Sequence, residues 1–134
     1  MRILLMDDHL DTLEIYSVLF QGWGHEVRAL QQPSLVLSTA LEFMPDVAFL
    51  DLGMPEIDGF EVARMMRQHP RFERLFLVAM TGHSNQEERA REAGIDAYFV
   101  KPVDIGKLQA FIEGLPETLK GRKGEDRGAR KQAM

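Results

Sequence analysis

Four stations along the chain carry groups whose chemistry fits together. They are an acidic pair, Asp7-Asp8; Asp51 in the segment FLDLGMP; Thr81 in AMTGH; and Lys101 followed by Pro102. Three carboxylates gathered in one place repel each other and resist burial unless cations balance them. Lys101 supplies one positive charge, and a divalent ion would supply the rest. The donors are hard oxygens with neither His nor Cys among them, which favours Mg²⁺ over zinc or copper. A carboxylate beside Mg²⁺ can attack phosphorus and become an acyl phosphate. The lysine ammonium and the threonine hydroxyl would then hold the phosphoryl oxygens, where charge sits during transfer. Nothing in the set is a general base poised to release the product quickly. The expected outcome is a metastable phosphorylated protein rather than turnover.

These groups are dozens of residues apart, so folded elements must bring them together. Short apolar runs at Ile3–Met6, Val27–Leu30, Val47–Leu50, Leu75–Met80 and Ala97–Val100 have the length and density of strands buried on both faces. The second, interrupted by Arg28, is the weakest. Between them lie helical patterns. Leu13, Tyr16, Leu19 and Phe20 repeat at 3-4 spacing after Asp11 and stop at Gly22 and Gly24. A second run opens at Pro33-Ser34, passes Leu37, Leu41 and Met44, and ends at Pro45. Asp58 is placed to cap a third helix holding Val62, Met65 and Met66. Ser84 or Asn85 is placed to cap a charged fourth helix, QEERAREA, closed by Gly94. Ile105, Leu108, Phe111, Ile112 and Leu115 form the inner face of a fifth.

Five βα units in succession predict an α/β fold, a doubly wound five-stranded parallel sheet with helices on both faces. Such sheets bind ligands beyond the carboxyl ends of their strands. Asp7-Asp8, Asp51, Thr81 and Lys101 each follow a strand, so four of five strand ends deliver polar groups to one edge; the second strand offers only Gln31 and Gln32.

The length, 134 residues, fits one domain, and no apolar run approaches a membrane span. Cysteine is absent, so disulfide and thiol chemistry are excluded. The first residues, MRILLMDDHLD, read as a strand and not a secretion signal, and the expected location is the cytoplasm. The net charge of −5 is uneven. Lys120, Arg122, Lys123, Arg127, Arg130 and Lys131 face only Glu125 and Asp126, giving residues 120–134 a charge of +4 and leaving residues 1–119 at −9. Without apolar periodicity, 120–134 is expected to be a disordered basic tail. His9, His25 and His69 show no metal-ligand spacing and read as surface residues.

Taken in order, Asp7-Asp8, LDLGMPEIDG around Asp51, MTG at Thr81 and YFVKP around Lys101 resemble a response-regulator receiver domain over residues 1 to about 119. The stretches DLGMPEIDGFEVAR and DAYFVKPVD are similar to receivers attached to hybrid histidine kinases. The resemblance implies a flavodoxin-like (βα)₅ fold with Asp51 as phosphoacceptor. It implies Asp8 as direct Mg²⁺ ligand, Asp7 assisting through water, and the Gly53 backbone carbonyl completing the metal site. Lys101 would pair with the phosphoryl group and Thr81 would move to bond it. Tyr98, three before the lysine, would turn inward as the threonine shifts, and the Lys101–Pro102 bond would be cis. Gly53 and His83, two after the acceptor and two after the threonine, would tune the phosphoryl lifetime.

The implied partners are a sensor or hybrid histidine kinase, or a phosphotransfer protein, as donor. A downstream protein would be met through helix four, strand five and helix five, by a monomer or weak dimer. No DNA-binding domain is expected in a tail this short. Two other classes compete. An Mg²⁺-dependent phosphatase would carry a second acid two residues after its nucleophile, where this chain has Gly53. A degenerate receiver acting only as a binding module would lack the complete acidic, threonine and lysine set.

Overall fold

The computed structural model describes residues 1–53 and 58–124. Five strands, β1 (Arg2–Met6), β2 (Glu26–Leu30), β3 (Val47–Asp51), β4 (Phe76–Thr81) and β5 (Ala97–Val100), form one sheet in the order β2-β1-β3-β4-β5. All four pairings are parallel. Between them run α1 (Leu10–Gly22), a 3₁₀ turn (Pro33–Leu35) leading into α2 (Val36–Phe43), α3 (Gly59–Gln68) and α4 (Glu87–Glu92). The order reverses between β1 and β3, which opens the crevice where such sheets place ligands.

In-register rows sort the core into two layers. Leu4, Ala48 and Leu77 share one row, and Met6, Leu50 and Ala79 another. This face packs with Val36 and Ala40 of α2, Val62, Ala63 and Met66 of α3, and Ala90 of α4 in one apolar cluster. The opposite face carries Ile3, Leu5, Val47 and Phe49, and α1 lays Phe20 on Phe49 with ring centroids 5.1 Å apart. The central strands β1, β3 and β4 are buried almost throughout, as near-continuous apolar runs should be, while the edge strand β2 is half exposed.

Helix α3 begins as the sequence indicates: Asp58 accepts from the Phe60 N–H at 2.9 Å. Gly59 lies against the end of β3. A Cβ there would sit 2.6 Å from Leu52 Cα and closer still to the Asp51 carbonyl oxygen, so only glycine lets the helix start this close to the strand. Gly94 closes the turn after α4 with φ +93°.

Several local expectations shift. The inner face of α2 is Val36, Ala40 and Phe43, whereas Leu41 and Met44 are exposed. The 3₁₀ turn after Pro33 rotates the start of the α-helix, and the apolar face moves with it. Met65 is likewise exposed. Helix α1 begins one residue before Asp11, and α4 is capped by Gln86, without a side-chain bond, rather than by Ser84 or Asn85.

Among the described residues, 104–124 form a second compact unit, α5 (Ile105–Gly124) with its cap. Its first turn is capped by Asp104, whose Oδ1 accepts from the Lys107 N–H at 2.9 Å. Leu108, Ile112 and Leu115 are buried, and Ile105 is exposed. The helix runs through Gly124 and so takes in the first five residues of the basic segment expected to be disordered. Lysine and arginine are good helix formers and suit a helix C-terminus, which favours the extension. The rest of that segment, 125–134, lies outside the described residues. Among the described residues no helix is long and apolar enough to cross a membrane.

Candidate functional site

Strands β1 and β3 end side by side, so Asp7, just after β1, and Asp51, the last residue of β3, come to the same edge. Asp7 is 1% exposed and Asp51 6% exposed. The Lys101 Nζ donates to Asp7 Oδ2 at 2.8 Å and lies 4.0 Å from Asp51 Oδ1. Asp51 Oδ1 also accepts from the Gly53 N–H at 3.0 Å, which fixes the carboxylate plane. Carboxylate oxygens of Asp7, Asp8 and Asp51 and a ring nitrogen of His9 all lie within 4.8 Å of one another. Three acids thus share one cation, Lys101, whose side chain is 24% exposed.

The two buried acids respond in opposite directions. Burial alone would raise the Asp7 pKa, but bonds from Lys101 and from the His9 backbone N–H (2.9 Å) outweigh it and hold Asp7 below the usual carboxylate value. Asp51 is also buried but has no direct lysine bond. Burial pushes its pKa up to about 6, the Gly53 N–H lowers it, and Asp7 and Asp8 raise it. Adding positive charge at this spot is therefore favourable. One buried Asp8 oxygen, Oδ1, has no hydrogen-bond partner. An orphaned carboxylate oxygen beside two further carboxylates fits a hard divalent cation such as Mg²⁺. The cluster can hold a metal ion.

Thr81 and Lys101 close the other side. Thr81 is fully buried, and its Oγ1 accepts from the His83 N–H at 3.3 Å. The Lys101 N–H bonds the Thr81 carbonyl oxygen at 2.7 Å, and the Lys101–Pro102 peptide is cis. Tyr98, half-buried, donates its hydroxyl hydrogen to the His83 carbonyl oxygen. One short segment, 81–83, therefore touches both the threonine and the tyrosine.

The sequence-derived set comes together: Asp7, Asp8, Asp51, Gly53, Thr81 and Lys101 meet at one sheet edge, with Tyr98 and His83 linked beside it. Three features escaped sequence reasoning. His9, read as an ordinary surface residue, is 71% exposed yet sets Nδ1 3.2 Å from Asp7 Oδ1 and 3.0 Å from Asp8 Oδ1. Its position directly after the acidic pair was the available signal. Tyr16, read as core, lies close enough to feel both Asp7 and Lys101, though burial is the main reason its hydroxyl is harder to ionise. Arg89 of α4 reaches Asp58 Oδ2 at 2.7 Å and stacks over the Phe60 ring at 4.0 Å, and no spacing rule would have paired them.

Comparison with known proteins agrees on the fold. Residues 3–113 match the family described as response regulator receiver domain. The chain is 33% identical over 105 residues to protein RcaC of Microchaete diplosiphon, a match covering 76% of this chain and 16% of that protein. It is 25% identical over 119 residues to the polar-differentiation response regulator DivK of Brucella anthropi, covering 87% of this chain and 94% of DivK. The response regulator protein TrrA of Thermotoga maritima, solved in complex with Mg²⁺-BeF, superposes with TM-score 0.76 at 26% identity, covering 85% of this chain and 97% of TrrA.

Proposed function

Because this chain belongs to the response regulator receiver domain family of two-component signalling, we propose that Asp51 accepts a phosphoryl group in an Mg²⁺-dependent reaction and that the chain signals by the resulting change of shape. The observation that carries this reading is the Asp51 carboxyl, buried at the end of β3 with Lys101 Nζ 4.0 Å away and two further carboxyls beside it.

In the transfer, an Asp51 oxygen forms a bond to phosphorus as the P–N bond to the donor's phosphohistidine breaks, and the imidazole leaves with a proton from solvent. Asp8, Asp7, Asp51 and the Gly53 carbonyl would hold Mg²⁺. When bound, the ion neutralises charge on the phosphoryl oxygens. Lys101 supplies a countercharge from within the chain, moving from Asp7 toward the new phosphoryl group. The buried Thr81 hydroxyl then turns to the phosphoryl oxygen, giving up its bond from the His83 N–H. That motion disturbs segment 81–83, and with it the Tyr98 contact, so the tyrosine is free to move inward. Gly53 offers no side chain to shield the product and His83 is exposed; both would set how long the phosphoryl group survives.

The donor would be a sensor or hybrid histidine kinase or a phosphotransfer protein, in the cytoplasm. Output would be contact with a protein partner through α4, β5 and α5. TrrA in complex with Mg²⁺-BeF supports the metal part of this reading by similarity.

Acetyl phosphate with Mg²⁺ should add one phosphoryl group without a kinase, seen by intact mass, and hydroxylamine should remove it. Asp51→Asn should take none while keeping the circular dichroism of the wild type. Labelling of Asp51→Asn at the wild-type rate would overturn the assignment of the nucleophile.

A further inference from the structure

His9 stands where an extra metal ligand would stand. Its Nδ1 lies 3.0 Å from Asp8 Oδ1 and 3.2 Å from Asp7 Oδ1. Two donors held at right angles on one ion with bonds of about 2.1 Å lie about 3.0 Å apart. Nδ1 is also within hydrogen-bond range of Asp7 Oδ1, so in the ion-free chain the ring proton sits between the ring and the acids. The neutral ring can carry that proton on its other nitrogen instead, and Nδ1 and Asp8 Oδ1 then stand at the separation a shared ion requires, within the group formed with Asp7 and Asp51. The backbone holds the ring there: the His9 N–H is fixed to Asp7 Oδ1 at 2.9 Å, and His9 occupies the N-cap position of α1. With the side chain 71% exposed, the second ring nitrogen can keep its proton in water while Nδ1 is offered to the cluster.

We propose that His9 Nδ1 is a nitrogen ligand of this metal site and shifts its preference from Mg²⁺ toward borderline divalent transition ions such as Co²⁺, Ni²⁺ and Zn²⁺. This rests on the metal reading above and deepens it. Carboxylate and carbonyl oxygens alone suit Mg²⁺, which keeps its waters and gains little from imidazole. An added imidazole raises affinity for first-row ions along the series from Mn²⁺ to Cu²⁺. The chain would then hold two kinds of ion in competition at one place, and the balance would be set by a residue next to the acidic pair rather than by the pair itself.

The test compares the full chain with its His9→Ala variant. No side-chain cap bond is lost in the variant, so it should fold. Calorimetric titration with Co²⁺ should show affinity at least about tenfold weaker in the variant, while Mg²⁺ affinity changes less than about twofold. In the wild type, bound Co²⁺ should give the His9 ring protons the largest paramagnetic shifts of any histidine, well beyond those of His25, His69 and His83. Equal Co²⁺ affinity in the two proteins, or the largest shift on another histidine, would overturn the role of His9 while leaving the Mg²⁺ site standing. Failure of the wild type to bind either ion would overturn the metal reading and this inference together.

Discussion

Strand β3 buries all five of its residues, whereas α4, six residues long, buries only Ala90. Different forces hold them. Each large apolar side chain in β3 contributes about 1.5–3 kcal/mol by leaving water, and Gly59 lets α3 press on the strand's end. Helix α4 is held mainly by polar contacts. At its C-terminal end, Arg67 Nη2 bonds the Gly94 carbonyl at 2.7 Å and Asp96 at 3.0 Å. The same guanidinium donates to the Phe72, Glu73 and Leu75 carbonyls through Nη1. Nearer its start, Arg89 pairs with Asp58 and covers Phe60. The Arg89 contacts are exposed and contribute about 1 kcal/mol or less each, whereas the Arg67 side chain is only 20% exposed and pins the turn that follows the helix. The half of the site that carries Asp51 is thus fixed by burial, and the start of α4 is fixed by contacts weak enough to exchange. A switch needs that division: the reacting group must stay in place while its neighbours move.

The contrast can be broken most severely in β3. Leu50→Ala, at a fully buried position, should cost about 3–5 kcal/mol in urea unfolding, since it loses both transfer free energy and packing. A loss below about 1 kcal/mol would show that β3 is not the rigid half.

Charge at the end of the same strand gives the next effect. The folded pKa of Asp51, about 6, lies above its ordinary value of 3.8. Between these values the folded state binds a proton that the unfolded chain has released, so stability falls as pH rises from about 4 to about 6. Asp7, held below 3.8, costs stability only at more acid pH, as it gains its proton. In chelator-treated protein, Asp51→Asn should therefore remove the decline between pH 4 and 6 and exceed the wild type at pH 7 by about 2–3 kcal/mol. Identical pH profiles for the two proteins would mean that the crowded acids do not burden the fold.

The smallest effect belongs to α4. Arg89→Ala should lower global stability by less than about 1 kcal/mol, yet amide hydrogen exchange should quicken in α4 and remain unchanged in β3. Equal acceleration in both would erase the distinction between the two halves.

Much of this was written in the chain. Apolar runs fixed the five strands to within a residue or two: the central β1, β3 and β4 are buried on both faces and leave an unbroken signature, while the edge strands β2 and β5, expected to be buried, are partly exposed. Their alternation with helical patterns then dictated a parallel sheet, and a parallel sheet puts every strand's next residue at one edge. Asp7, Asp8, Asp51, Thr81 and Lys101 could be grouped on that ground alone. What the sequence left open was rotation and reach. The 3₁₀ turn after Pro33 rotated α2, so Ala40 and Phe43 went inside while Leu41 stayed out, because apolar spacing does not record how a helix is entered. Only the folded backbone brought the His9 ring beside the carboxylates and carried Arg89 across to Asp58 and Phe60. Long and exposed side chains carry no periodic signal; their partners are chosen by distances that exist only once the sheet and its helices have packed.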